Sequence, residues 1–159
     1  MMEIIRSIQI KAAPETIWPF LVQPEKIVQW CFTLQSFEYT SQISYGVDAS
    51  FKYREQGRFR FVELNCVITE WIENKKITFE MTSGKGFKEY KETWLIDPCS
   101  DGSKFSFINQ SHIPFGIFGK IMESVSRHRT EITVDKMLAK LKKLVEEARS
   151  ECSRSKGAL

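Results

Sequence analysis

One stretch limits what this chain can become. From Ile113 to Cys152 the sequence IPFGIFGKIMESVSRHRTEITVDKMLAKLKKLVEEARSEC is the only segment long enough, and rich enough in helix formers, for a helix of several turns. Nearly everything before it alternates apolar and polar residues as strands do. A strand-rich domain must cover the apolar face of its sheet, and this helix is the element available to do so. Its apolar residues fall into two sets. Val134, Met137, Leu138, Leu141, Leu144, Val145 and Ala148 make a regular helical stripe. Phe118, Ile121, Met122, Val125 and Ile132 also have helical spacing, but at about 100° per residue they lie on roughly the opposite side. Either the helix breaks or its two halves face different partners. The spacing predicts a break between Glu123 and Thr133, with a short helical turn over Gly116 to Glu123 and a long helix from Ser126 to Ser150. Ser124 and Ser126 are its candidate N-caps.

Upstream, Glu3 to Lys11 reads as a first strand, with Ile4, Ile8 and Ile10 on one face and Arg6 interrupting them. Two short helices follow, opened by Pro14 and Pro24, and Pro19 must kink or shorten the first of them. From Leu34 the period becomes two. Strands are predicted over Leu34–Ser41, Ala49–Glu55, Arg58–Trp71, Lys76–Thr82, Lys88–Asp97 and Ser103–Ile113, joined by turn-like links rich in Gly, Asn and Asp. Links this short imply an antiparallel meander. One sheet face carries Phe51 and Tyr53, then Ile77, Phe79 and Met81, then Tyr90, Trp94 and Ile96, then Phe105, Phe107 and Asn109. The other carries Lys52, Arg54, Glu80, Lys91 and Lys104, so one side is wet and the other apolar. Arg58 to Trp71 has conflicting parity: Phe59 and Phe61 argue one way, Val62, Leu64, Cys66 and Ile68 the other. A bulge is predicted there.

At 159 residues the chain reads as one domain over 1–152, with 153–159 as a flexible polar tail. A net charge of +3, with bases and acids evenly mixed, argues against nucleic acid as a partner. No apolar run reaches transmembrane length, and the first residues lack a signal-peptide layout. Cys31, Cys66, Cys99 and Cys152 fit neither a zinc pattern nor a disulfide scaffold, so they are expected as reduced thiols in the cytoplasm. No metal and no cofactor is expected.

Several stretches together resemble a known family. Ile8-Gln9-Ile10-Lys11-Ala12-Ala13-Pro14-Glu15-Thr16-Ile17-Trp18 looks like its opening strand and first helix. Thr93-Trp94-Leu95-Ile96-Asp97-Pro98 with Asp101-Gly102-Ser103 resembles its penultimate hairpin. Pro114-Phe115-Gly116-Ile117-Phe118-Gly119-Lys120 resembles the entry to its last helix, and Leu138-Ala139-Lys140-Leu141-Lys142-Lys143-Leu144-Val145-Glu146 the end of that helix. The family is the START-like superfamily, which includes polyketide cyclases/dehydrases, lipid-transfer domains, birch-pollen-allergen-type proteins and homologues of the heat-shock-chaperone ATPase activator. Pro19 departs from its usual pattern. The resemblance implies an α+β helix-grip fold: a seven-stranded curved antiparallel sheet wrapped on a long C-terminal helix, with two short helices after the first strand. It also implies a cavity between sheet and helix.

No metalloprotease, nucleophile-elbow, phosphate-loop or dinucleotide motif is present in the sequence. Ser83-Gly84-Lys85-Gly86 reads as a hairpin turn, and His112 and His128 as ordinary surface or hydrogen-bonding histidines. Glu92 stands out, because its parity places it among Tyr90 and Trp94 on the apolar side. A buried carboxylate needs a partner or a proton, and Arg6, Tyr53 and Asn109 are its candidate partners. The expected ligand-lining set is Phe51, Tyr53, Phe79, Met81, Tyr90, Glu92, Trp94, Phe105, Phe107 and Asn109 from the sheet, with Phe115, Phe118 and Met122 from the helical segment. Lys140, Lys142, Lys143, Arg127 and Arg129 read as a solvated helix face, membrane contact being the lesser reading.

Three functions compete. The first is binding of an apolar or amphipathic, lipid- or polyketide-like small molecule. The second is a cyclase/dehydratase-type enzyme using Glu92, Tyr53, Tyr90 or Asn109 for acid–base chemistry. The third is a protein-interaction domain like the chaperone-activator homologues. A polar group poised beside the bound carbon skeleton separates the second from the first.

Overall fold

Strands joined by links of two to ten residues, too short for a crossover, pair with their sequence neighbours in opposite directions. The computed structural model of the chain has that arrangement. It describes residues 1–57, 61–112 and 116–157, with the backbone alone at 116–120, 122 and 123. The first strand, β1, is Met2–Ile10, and the short helices α1 (Pro14–Ile17), α2 (Pro19–Val22) and α3 (Pro24–Trp30) follow it. The remaining strands are β2 (Leu34–Tyr39), β3 (Ser50–Gln56), β4 (Phe61–Ile72), β5 (Lys76–Gly84), β6 (Glu89–Cys99) and β7 (Gly102–His112), before the helix α4 (Gly116–Gly157). They form one seven-stranded antiparallel sheet in the order β1-β7-β6-β5-β4-β3-β2. β1 joins the meander as an edge strand by pairing with the last strand, Ile4 opposite Asn109 and Ile10 opposite Ser103.

Where the sequence pattern predicts two early helices there are three, because Pro19 ends the first. Having no N–H to continue the ladder, it becomes the opening residue of the next helix, as Pro14 and Pro24 are of theirs. The parity conflict in β4 resolves as a bulge. Leu64, Cys66 and Ile68 point inward, the register then shifts between Ile68 and Glu70, and Trp71 comes onto the inner side against Trp18. Phe61 lies outside beneath the Arg54 guanidinium, 4.1 Å from its ring centre. Phe59 lies outside the described residues.

The predicted break in the last helix does not occur: α4 is one helix of 42 residues. No Pro or Gly falls between Glu123 and Thr133. The Thr130 and Thr133 hydroxyls donate to the carbonyls of Ser126 and Arg129 one turn back, and Arg127 pairs with Glu131. The change of phase is a change of surroundings instead. Val134, Met137, Leu138, Leu141 and Val145 are buried, whereas Ile121, Val125 and Ile132 are 63%, 61% and 41% exposed on the outer side. The helix also continues past Ser150 to Gly157, with Arg154 and Lys156 favourably placed at its negative end.

Edge strand β1 is held by this helix through charged side chains. Arg127 donates to the Glu3 carbonyl (3.0 Å), Lys142 to that of Gln9 (2.7 Å) and Arg149 to that of Lys11 (2.5 Å). Glu146 accepts the Lys11 N–H at 2.8 Å, and Arg6 pairs with Asp135. Arg127 and Lys142, expected on a solvated face, therefore cap an otherwise open sheet edge. Within the curve of the sheet, Trp30 of α3 is fully buried. Its ring packs edge-on to Trp94 and Phe105, and its indole N–H donates to the Phe20 carbonyl at 2.8 Å. Among the described residues no helix is long and apolar enough to cross a membrane.

Candidate functional site

Alternation along the strands brings one set of side chains to the concave face. Tyr53 comes from β3, Phe79 from β5, Tyr90, Glu92 and Trp94 from β6, and Phe107, Asn109 and Ser111 from β7. Opposite them, α4 presents Thr130, Thr133, Val134 and Met137, while Cys31, Thr33, Leu34 and Phe37 close one end. Trp30 and the α3 helix fill part of the concavity, and beyond them a cavity of about 180 Å³ is left unfilled.

Glu92 lines it and is 4% exposed. In the sheet it sits between Phe79 and Asn109. Its neighbours two residues away share its face, so Tyr90 donates its hydroxyl to Oε2 (2.5 Å) and Trp94 its indole N–H to Oε1 (2.7 Å). Asn109 Nδ2 adds a third donor to Oε2 at 3.1 Å. Burial nevertheless pushes the Glu92 carboxyl up to about 7, against these three hydrogen bonds, and Glu55 contributes to the rise. Of the partners expected for Glu92, Asn109 is one. Arg6 pairs with Asp135 instead, because its strand position faces α4.

Glu55 also lines the cavity, and burial raises its carboxyl while the Thr33 hydroxyl favours the ion. The buried Cys31 thiol is pushed well up by the same desolvation. Two further groups are unsatisfied. Tyr53 and Ser111 are 4% and 1% exposed and line the cavity, yet neither hydroxyl has a hydrogen-bond partner of normal geometry. Buried hydroxyls without partners are uncommon and point to a guest molecule or water. Glu55 and Glu92 are the only charged side chains among the described residues that line the space.

Of the residues expected here, Tyr53, Phe79, Tyr90, Glu92, Trp94, Phe107 and Asn109 come together around the cavity. Phe51 stacks on Phe37 and Tyr53 in the core behind it, Phe105 packs on Trp30, and Met81 is half-buried outside the lining. Phe115 and the side chains of Phe118 and Met122 lie outside the described residues. His112 and His128 are not in the lining. Sequence reasoning missed Glu55 and Ser111, although each continues an alternation already traced: Phe51, Tyr53, Glu55 and Phe107, Asn109, Ser111. It also missed Val134 and Met137 as lining residues, because the helix was expected to offer its upstream half.

A chamber with apolar walls, a few inward polar groups and a carboxyl titrating near neutrality can hold a small molecule or exchange a proton with one. No curated protein sequence matches the chain. Solved structures match over nearly all of it. The protein TTHA0849 from Thermus thermophilus is 19% identical with a TM-score of 0.78, covering 92% of this chain and 98% of its own. A START superfamily protein from Mycobacterium smegmatis is 12% identical, TM-score 0.74, covering 91% and 99%. The Zhui aromatase/cyclase from Streptomyces sp. R1128 is 6% identical, TM-score 0.76, covering 91% and 93%. Identities this low carry the fold alone. The sequence family described as polyketide cyclase/dehydrase and lipid transport matches residues 1–146, and the chain belongs to that family.

Proposed function

We propose that the protein binds a small, largely apolar molecule in the cavity between the sheet and α4. The observation that carries this reading is the cavity itself: about 180 Å³ beside Tyr53 and Ser111 hydroxyls that have no hydrogen bond of normal geometry. An apolar cavity of about 150 Å³ takes up benzene, so this one suits a molecule of one ring with a short chain. Burying roughly 200 Å² of apolar ligand surface is worth about 5 kcal/mol before the cost of association, which caps the affinity from apolar burial alone at about 0.2 mM. All four cysteines are free, which suits a reducing cytoplasm. Calorimetric titration with 2-phenylethanol tests the reading against Phe107→Trp, which overfills the space. Wild type should bind and a folded Phe107→Trp should not. Equal binding by both would put the site elsewhere.

A second reading has its own support. Glu92 titrates at about 7 inside the cavity, as a general acid–base of a cyclase/dehydratase would need to. On that reading Glu92→Gln loses turnover of a β-polyketone thioester but keeps affinity for it. Unchanged turnover would remove Glu92 from the chemistry.

A further inference from the structure

Among the described residues the charge inventory of the cavity is one-sided. Groups facing Glu92 are Tyr90, Trp94 and Asn109, which donate to it, and Tyr53, Glu55, Cys31 and Cys66, which feel its charge. None is basic, and no Lys, Arg or His is among the described lining residues. An anionic guest such as a fatty acid would bring a third carboxylate into a space that already strains to ionise two. A cationic guest does the reverse, since its charge stabilises both carboxylates at once. An ammonium carries three N–H donors and no acceptor. The acceptors with room for a further donor are the Glu55 carboxylate, beside the Thr33 hydroxyl, and the buried hydroxyl oxygens of Ser111 and of Tyr53, the latter beside the Tyr90 hydroxyl. Around them stand the rings of Phe79, Tyr90 and Phe107, and aromatic faces attract cations.

We propose that the cavity takes an organic cation, an ammonium group on a one-ring or short apolar body, with the charge held between Glu55 and Glu92. This rests on the binding reading above and names the chemical class of its ligand. Three probes of nearly equal size separate the two claims: 2-phenylethylammonium, 2-phenylethanol and phenylacetate, titrated calorimetrically at pH 7.5. The ammonium should bind about tenfold or more tighter than the alcohol, and the carboxylate weakest of the three. Alcohol or carboxylate binding as tight as the ammonium would overturn the proposal and leave the cavity reading standing. No binding by any probe would overturn both. In Glu55→Gln the ammonium should lose about tenfold in affinity while the alcohol changes less than about twofold. A retained preference would contradict the role given to Glu55. On unmodified protein, ammonium affinity should rise between pH 6 and 8 as the Glu92 carboxyl, at about 7, loses its proton, with alcohol affinity flat; a flat ammonium profile would also overturn it.

Discussion

Glu92 keeps its proton in the folded chain at a pH where the unfolded chain has lost it. Its carboxyl lies at about 7 in the cavity against the ordinary 4.5. Between those values the folded state binds more protons, so the stability that Glu92 contributes is full below about 4.5 and is lost as pH rises through 7. A shift of this size corresponds to roughly 3 kcal/mol across the window. Glu55, also raised by burial, acts in the same direction. Urea denaturation should therefore show wild type losing about 2 kcal/mol more than Glu92→Gln between pH 5 and pH 8. Equal slopes for the two proteins would mean that Glu92 ionises freely in the folded state. At this scale the sequence is informative wherever parity alone decides: counting in twos places Glu92, Asn109 and Tyr53 inward. Cys31 and Thr33 are beyond its reach, because they follow a short helix whose direction no local pattern sets.

The helix α4 separates periodicity from packing. Both of its apolar sets are visible in the sequence, but the pattern cannot tell a broken helix from an unbroken one whose outer side happens to be apolar. Only the fold, in which α4 runs unbroken through Ser126 to Thr133 with no Pro or Gly there, decides that. Leu141 is fully buried, so Leu141→Ala should cost about 2–5 kcal/mol. Ile121, 63% exposed, should tolerate Ile121→Ala within about 0.5 kcal/mol, measured by the same denaturation curves. Similar losses at both positions would mean that the upstream side is also packed. The β6–β7 hairpin gives a sharper case. Gly102 has φ +137°, and a Cβ there would lie 2.2 Å from the Ile10 carbonyl oxygen. Gly102→Ala should lower stability by more than about 1 kcal/mol. Pro19 is legible as a helix breaker from the sequence alone, because its effect is covalent and needs no tertiary context.

The order of elements, the seven strands and the helix-grip arrangement are legible because short links and period-two runs leave a meander few alternatives. The cavity is a different matter. Phe51, Phe79, Phe105 and Phe107 share one face and look equivalent in the sequence, yet Phe105 is sealed against Trp30 while Phe79 and Phe107 border open space. That difference depends on how far α3 reaches into the concavity, which no residue pattern specifies. The most direct test of the account is methyl NMR of the protein titrated with 2-phenylethylammonium. Saturable shifts should appear at Met2, Leu34, Val134 and Met137, which line the cavity, and not at the core residues Ile96 and Leu141. Shifts confined to the exposed Ile121, Val125 and Ile132, or no saturable shift at any methyl, would contradict it.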